Sequence, residues 1–225
     1  MAGMRVTVVG CAGSFPGPDS PASCYLLEAE RFRLVIDLGS YWVARQYAPD
    51  GPRPPIPVHS PGGTAQRVTG FGGEDPASVR ARFAFHDLAP GVLEIGPFLL
   101  TTDHMNHPVE TFGFRVEHAG WRLAYSADTG ESEALVRLAA DADVLLCEAS
   151  FLEGQDIRPD LHLTARQAAA HAARAGVGRL VLTHLVPWND RNRTLAEADG
   201  IYRGPLSLAT SGLVLESAAP PPAGR

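Results

Sequence analysis

Four short apolar runs each stop on an ionisable residue, and this constrains the fold more than any other feature of the chain. Trp121-Arg-Leu-Ala-Tyr125 alternates as a half-buried strand and is broken at Thr129-Gly130, which leaves Asp128 at its end. Val144-Leu-Leu-Cys-Glu148 ends on a carboxylate and Leu180-Val-Leu-Thr-His184 on an imidazole. Upstream, Phe98-Leu-Leu-Thr-Thr-Asp103 runs into His104-Met-Asn-His107. A strand is held by its sheet while the loop after it can carry chemistry, so strands ending this way collect Asp, Glu and His along one sheet edge. Those side chains are the usual protein ligands of hydrolytic divalent metals. The pattern predicts a metal-dependent hydrolytic centre at the edge of a sheet.

The rest of the chain is long enough to build that sheet. Its 225 residues allow one domain with a substantial core, or two fused halves, and one domain over residues 1–217 is expected, with a disordered tail at 218–225. No apolar stretch is long enough to cross a bilayer, and no charged region followed by an apolar run marks a signal peptide. Cys11, Cys24 and Cys147 lack zinc-site spacing, and Cys11 and Cys147 read as buried thiols on or beside apolar strands. The expected compartment is the cytoplasm. With 19 basic and 25 acidic residues the net charge is −6, which argues against nucleic acid as a partner. A small phosphate ester, which needs only a metal and one or two local cations, is compatible with that balance.

In chain order, Arg5-Val-Thr-Val-Val9 is a strand, followed by a turn-rich run from Gly10 to Gly17. That run lacks both the P-loop lysine and the G-x-G-x-x-G spacing, so it reads as a tight connection. Residues 22–27 and 32–36 form a hairpin that closes on Asp37-Leu-Gly39, and 40–47 read as a helix. A proline- and glycine-rich connection over 49–63 carries an edge strand at 56–59 with a surface histidine, His59. Strands are expected at 83–86 and, as one piece, at 92–101. A hairpin follows over 111–118 and 121–126, with His118 solvated at its turn. Helices are expected over 131–140, from the capping box Thr164-Ala-Arg-Gln167 to Gly176 with His171 packed inside, and over 195–202. A last strand lies within 206–215. This order fits an α/β sandwich with the helices outside.

At these residues the chain resembles a family. His107 followed by Pro and an aromatic strand, Ser-Ala-Asp128-Thr-Gly, Cys-Glu148-Ala-Ser, Leu-His162-Leu-Thr and Leu-Thr-His184 look like the later motifs of the metallo-β-lactamase superfamily, in its ribonuclease Z-like branch. The opening Val-Thr-Val-Val-Gly-Cys-Ala-Gly-Ser and Leu-Val-Ile-Asp37-Leu-Gly match the same branch, so the resemblance spans nearly the whole chain. It implies an αββα sandwich with two divalent ions, zinc or manganese, at the sheet edges. By motif match Asp128 bridges both ions, His107 completes the first site and His184 the second. His104 competes with His107 from three residues away; the Pro-x-Glu-Thr-Phe-Gly-Phe context favours His107. The resemblance makes His162 a catalytic non-ligand that protonates the leaving oxygen, a role suited to an imidazole. Glu148 then orients it or accepts a bond behind the ligands.

The family's His-x-His-x-Asp-His run is absent from this sequence. Asp37-Leu-Gly39 passes directly to Ser40-Tyr-Trp-Val-Ala-Arg, which resembles the helix after that motif, so one helix–strand–ligand-loop unit is missing between Gly39 and Ser40. Each metal site then keeps two protein ligands where a stable zinc site wants three or four, and the chain as written is expected to be impaired. The first expectation is a metal-dependent phosphodiesterase acting on a small-molecule phosphate ester such as a cyclic nucleotide, with a homodimer as an admissible assembly. The tight hairpin between His107 and Asp128 leaves no room for a tRNA-clamping arm. The alternatives are a catalytically dead binding protein, and a lactonase or thioesterase on the same scaffold.

Overall fold

The computed structural model describes residues 3–13, 16–37, 54–73, 75–155 and 158–217. The helix expected over 40–47, the Gly39–Ser40 junction and the tail at 218–225 lie outside the described residues. The chain divides into two compact units, Met1–Gly39 with Gly91–Arg225, and Ser40–Pro90.

The larger unit holds β1 (Arg5–Gly10), β2 (Cys24–Ala29), β3 (Phe32–Ile36), and then β6 (Gly91–Ile95) through β13 (Val214–Glu216). Between these last two come β7 (Phe98–His104), β8 (Phe112–His118), β9 (Trp121–Tyr125), β10 (Val144–Glu148), β11 (Leu180–Thr183) and β12 (Leu206–Leu208). Its helices are α3 (Glu133–Ala139), α4 (Ala165–Ala175) and α5 (Arg191–Ala198). A four-stranded sheet has the order β13-β1-β2-β3, and a seven-stranded sheet has the order β12-β11-β10-β9-β8-β7-β6. The second is antiparallel from β6 to β9 and parallel from β9 to β12.

Burial explains the layering. Val6, Val8, Tyr25 and Leu27 of one sheet pack with Leu100, Val116, Leu123, Leu146 and Val181 of the other. On the far face of the seven-stranded sheet, Leu145, Cys147, Leu180 and Leu182 pack with Leu135, Leu138, Ala168 and Ala172 of the helices. β10 and β11 are thus covered on both sides, which is why they read as unbroken apolar runs, whereas β1 and β2 alternate. This is the α/β sandwich expected from the sequence. Cys11 and Cys147 are buried free thiols.

Several boundaries differ from expectation for local reasons. The single strand expected over 92–101 is a hairpin, because Gly96 takes a positive φ of 58° and turns β6 into β7. The helix expected over 195–202 starts earlier, at Arg191, where Asp190 accepts the N–H groups of Asn192 and Arg193. Residues 206–215 supply two short strands, one to each sheet. His118 is not simply solvated: its Nδ1 lies 3.0 Å from the Pro97 carbonyl and its ring stands edge-on to Phe98. The Thr164 capping box forms as read, with Thr164 Oγ1 accepting from the Gln167 N–H and the Gln167 side chain accepting from the Thr164 N–H.

The smaller unit pairs β4 (Ile56–Ser60) in parallel with β5 (Phe83–Asp87), joined by α1 (Thr64–Gly72) and α2 (Pro76–Arg82). Asp75 caps α2 ahead of a proline at its first position. His59 is half-buried and stacks on His86 with ring centroids 5.0 Å apart; burial and then the neighbouring His86 hold its pKa below 6.5.

Candidate metal centre

Parallel strands put their carboxyl ends on one edge, so β9, β10 and β11 present Asp128, Glu148 and His184 together. β7 runs the same way as β9 through the intervening β8, which brings the His107 loop to that edge as well. The backbone is tightly turned where the functional residues emerge: Ala127 has φ 50° and His184 has φ 55°, both in the left-handed region. The two loops are laced together. Asn106 donates its N–H to Thr129 Oγ1, and Gly130 donates its N–H to the Asn106 carbonyl.

Asp128, His162 and His184 each offer a ligand atom, and these atoms all lie within 4.8 Å of one another. His184 Nδ1 is 3.1 Å from Asp128 Oδ1 and 3.4 Å from Ser23 Oγ. The His162 and His184 rings are 5.2 Å apart. His107 stands one ring further out, 5.9 Å from His162 between centroids and outside the three-residue group. Its bonds all fall on Nδ1, shared among the Val109 N–H, the Val109 carbonyl and Thr111 Oγ1. His104 is exposed at the end of β7, its ring 4.6 Å from Phe112. His171, as read, is a packing residue: buried, it accepts the Ser132 N–H at Nε2 and bonds the Gln167 carbonyl through Nδ1.

Glu148 sits behind His162. Its carboxylate is 1% exposed and accepts from the Thr129 N–H, the Leu163 N–H and His162 Nδ1, the last at 2.9 Å. That arrangement fixes the imidazole's orientation and leaves Nε2 as the nitrogen that can take a ligand. Burial by itself would lower the pKa of His162, but the hydrogen bond and charge of Glu148, with Asp128 beyond, carry it above 6.5. Beneath the site Tyr125 donates to Asp37 Oδ2 and Tyr25 pairs with Thr183 Oγ1. Burial, then Asp37, push the Tyr125 hydroxyl well above its ordinary pKa.

Nothing in the sequence assigned a role to Ser23, or to Ser126 and Thr129 beyond their place in the motif around Asp128. Ser126 Oγ accepts the Glu148 N–H, and Thr129 ties the Asp128 loop to Glu148 and to Asn106. Ser23 arrives from the other sheet, and nothing in its neighbours signals that position.

The profile of the beta-lactamase superfamily domain matches residues 47–185. An uncharacterised protein of Mycobacterium leprae is 35% identical over 260 positions, covering 96% of this chain and 90% of its own. The chain belongs to the metallo-β-lactamase superfamily. Within it the placement is the ribonuclease Z-like branch: ribonuclease Z of Mycolicibacterium gilvum is 36% identical over 187 residues, covering 68% of this chain and 62% of that one. The probable metallo-hydrolase YhfI of Bacillus subtilis is 26% identical over 243 positions, and its crystal structure superposes with a TM-score of 0.82 at 24% identity, covering 96% of this chain and all of that one. The alignment with the M. leprae protein is longer than this whole chain, so it opens gaps here: that relative of the superfamily carries residues this chain does not.

The superfamily implies divalent metal binding, and the donors test it. Two imidazoles and one carboxylate converging within 4.8 Å are a three-ligand set of the kind catalytic zinc uses. They fit one ion. Among the described residues they do not make two three-ligand sites, even with Asp128 counted toward both and His107 added.

Proposed function

We propose that the protein is a metal-dependent phosphodiesterase acting on a small phosphate ester, with a cyclic nucleotide as the representative substrate. The observation that carries the reading is the convergence of Asp128, His162 and His184 at the carboxyl edge of the parallel strands. Its relative named ribonuclease Z, an RNA-cleaving enzyme by that name, supports a phosphodiester as the bond type. The net charge of −6 and the tight β8–β9 hairpin support a small ester over a folded RNA.

A divalent ion, zinc or manganese, bound at this edge supplies Lewis acidity and lowers the pKa of water. The chain's own residues do the rest. Asp128 contributes the negative charge that holds the cation. Glu148 fixes His162, and the loops laced at Asn106 and Thr129 hold the half-buried His107 5.9 Å from His162 between ring centroids. With only three converging donors the turnover is expected to be slow.

Hydrolysis of bis(p-nitrophenyl) phosphate and of cyclic AMP by zinc- or manganese-loaded protein tests this, with a lactone and a thioester assayed alongside. Asp128→Ala is expected to lose most bound metal and nearly all phosphodiesterase activity. Turnover of the lactone or thioester alone would move the assignment to that chemistry. The missing His-x-His-x-Asp-His run favours a second reading, a pocket that binds without turnover; saturable cyclic nucleotide binding with no hydrolysis would make it the answer.

A further inference from the structure

A recess lies beside the metal centre, outside the converging donors. Its buried lining includes Cys11, Ala149 and Leu185, so it adjoins Glu148 and His184 through the backbone without containing either. Its more exposed lining carries Asp19, Asn189 and Arg191. We propose that this recess is the subsite for the purine base of the substrate, with Trp188 as the ring on which the base stacks. The proposal rests on the phosphodiesterase reading for the phosphate end of the substrate, and on the geometry of the loop after His184 for the base.

The sequence builds the platform locally. After His184 and Leu185 the chain turns at Val186-Pro187-Trp188-Asn189, where the Asn189 N–H is donated to the Val186 carbonyl at 3.2 Å. Proline in the second position presets such a turn and leaves Trp188 at its tip. The turn is anchored on both sides. Leu185 donates its N–H to the Cys11 carbonyl, Asn189 Nδ2 donates to the Ser150 carbonyl at 2.8 Å, and Asp190 caps α5. A Cβ on Gly17 would lie 2.8 Å from Pro187 Cβ, so the loop at Gly17 packs directly on the turn. Trp188 is nevertheless 66% exposed, more than any other large apolar side chain among the described residues. A scattered exposed apolar side chain needs no explanation. This one is an indole on an anchored turn, between Pro187 and Asn189, which both line the recess.

Size and charge select the ligand. The recess measures about 90 Å³, less than the roughly 150 Å³ that encloses a benzene ring, so it takes the edge of a planar base and not a whole nucleoside. The face of the base is then left to an aromatic platform, and stacking is the contact every base can make. Arg191 donates to the Ala209 carbonyl at 3.0 Å, and among the described residues neither Arg191 nor Asp19 has an ion-pair partner. A phosphate placed here would meet a guanidinium and a carboxylate at once. A neutral purine edge instead presents N–H donors to the carboxylate, and lone pairs to the guanidinium.

The test uses the full chain loaded with zinc or manganese. Cyclic AMP and the cyclic ribose phosphate that lacks the base are the paired substrates, both followed by phosphorus NMR, and adenosine probes the subsite alone. Adenosine should quench tryptophan fluorescence saturably in the parent and not in Trp188→Ala. Trp188→Ala should raise KM for cyclic AMP by about 5–30-fold with kcat unchanged, the loss of one stacked base, and should leave the base-free ester unaffected. Trp188→Phe, which keeps a ring, should recover most of that loss. Arg191→Gln should raise the same KM and again spare the base-free ester. Thermal melts confirm that each variant is folded. An unchanged KM for cyclic AMP in Trp188→Ala, equal losses on both esters, or no saturable quench by adenosine would each overturn the proposal. A changed sedimentation mass in Trp188→Ala with an unchanged KM would overturn it in favour of a contact between copies of the chain. A saturable adenosine quench that depends on Trp188, in a protein that hydrolyses neither ester, would uphold the subsite and sink the phosphodiesterase reading. Hydrolysis of both esters without dependence on Trp188 would do the reverse.

Discussion

Gly130→Ala is the substitution that most directly tests how the site is held. Gly130 follows the Asp128–Thr129 pair, and its N–H is donated to the Asn106 carbonyl at 2.8 Å. A Cβ at this position would lie 2.1 Å from the Pro159 carbonyl oxygen and 3.0 Å from Asp160 Cα, where ordinary contact begins near 3.4 Å. Both obstacles are backbone, so no side chain can swing aside and the loop before His162 must retreat by more than an ångström. Overpacking of this kind costs about 1–3 kcal/mol, and with backbone on both sides the upper value, about 3 kcal/mol, is expected. For a chain of this size that corresponds to a loss of about 6–12 °C in Tm. Because Asp160 is two residues before His162, the same retreat stretches the 2.9 Å Glu148–His162 contact, and zinc affinity should fall by about 10–100-fold. Urea unfolding of the metal-free protein and zinc titration measure the two effects separately. A variant within about 0.5 kcal/mol of the parent, the range of an uneventful surface substitution, would refute the packing argument. A destabilised variant with parental zinc affinity would refute the coupling between the two loops.

Gly70→Ala is the matched control. Gly70 is exposed inside α1, and nothing lies within 4 Å of a Cβ added there, so stability should rise by about 0.4–1 kcal/mol, measured by the same urea melts. In metal-free protein, His162 should titrate above 6.5 by NMR. Since its folded-state pKa is raised, the stabilisation from its pairing with Glu148 is complete below the unfolded value and fades as pH rises through the folded one. His162→Asn should remove that portion of the pH dependence; a titration at or below 6.5 would show that burial, not Glu148, dominates. Zinc binding should run the other way and weaken as pH falls, because the imidazoles must be deprotonated to ligate.

Much of this protein was legible in its sequence because its signals are local. Strand β10 and strand β11 are continuous apolar runs because both faces are covered, and each announces its functional residue by stopping on it. The capping box at Thr164 and the glycine after Ala175 needed only their neighbours to be read. The structure places His107 beside His162, with ring centroids 5.9 Å apart, and His104 against Phe112. Signals carried by one residue were weaker: Asp190 moved a helix start, Gly96 divided a strand, and Asp75 capped a helix that the sequence reading had not set out.

The tertiary structure alone decided how the titratable groups are partnered. The Glu148–His162 pairing across 14 residues was expected only through the resemblance, and no spacing in the sequence brings Ser23 within reach of His184 across 161 or leaves His107 outside the three-donor group. Those relations depend on which strands run parallel and how closely two loops approach at Gly130, and they separate a list of candidate ligands from a coordination site. The sequence determines that carboxylates and imidazoles emerge at one sheet edge, because strand ends are set by local pattern. How many ions they can hold is decided by distances of a few ångströms, and only the packing of the two sheets and their loops determines those.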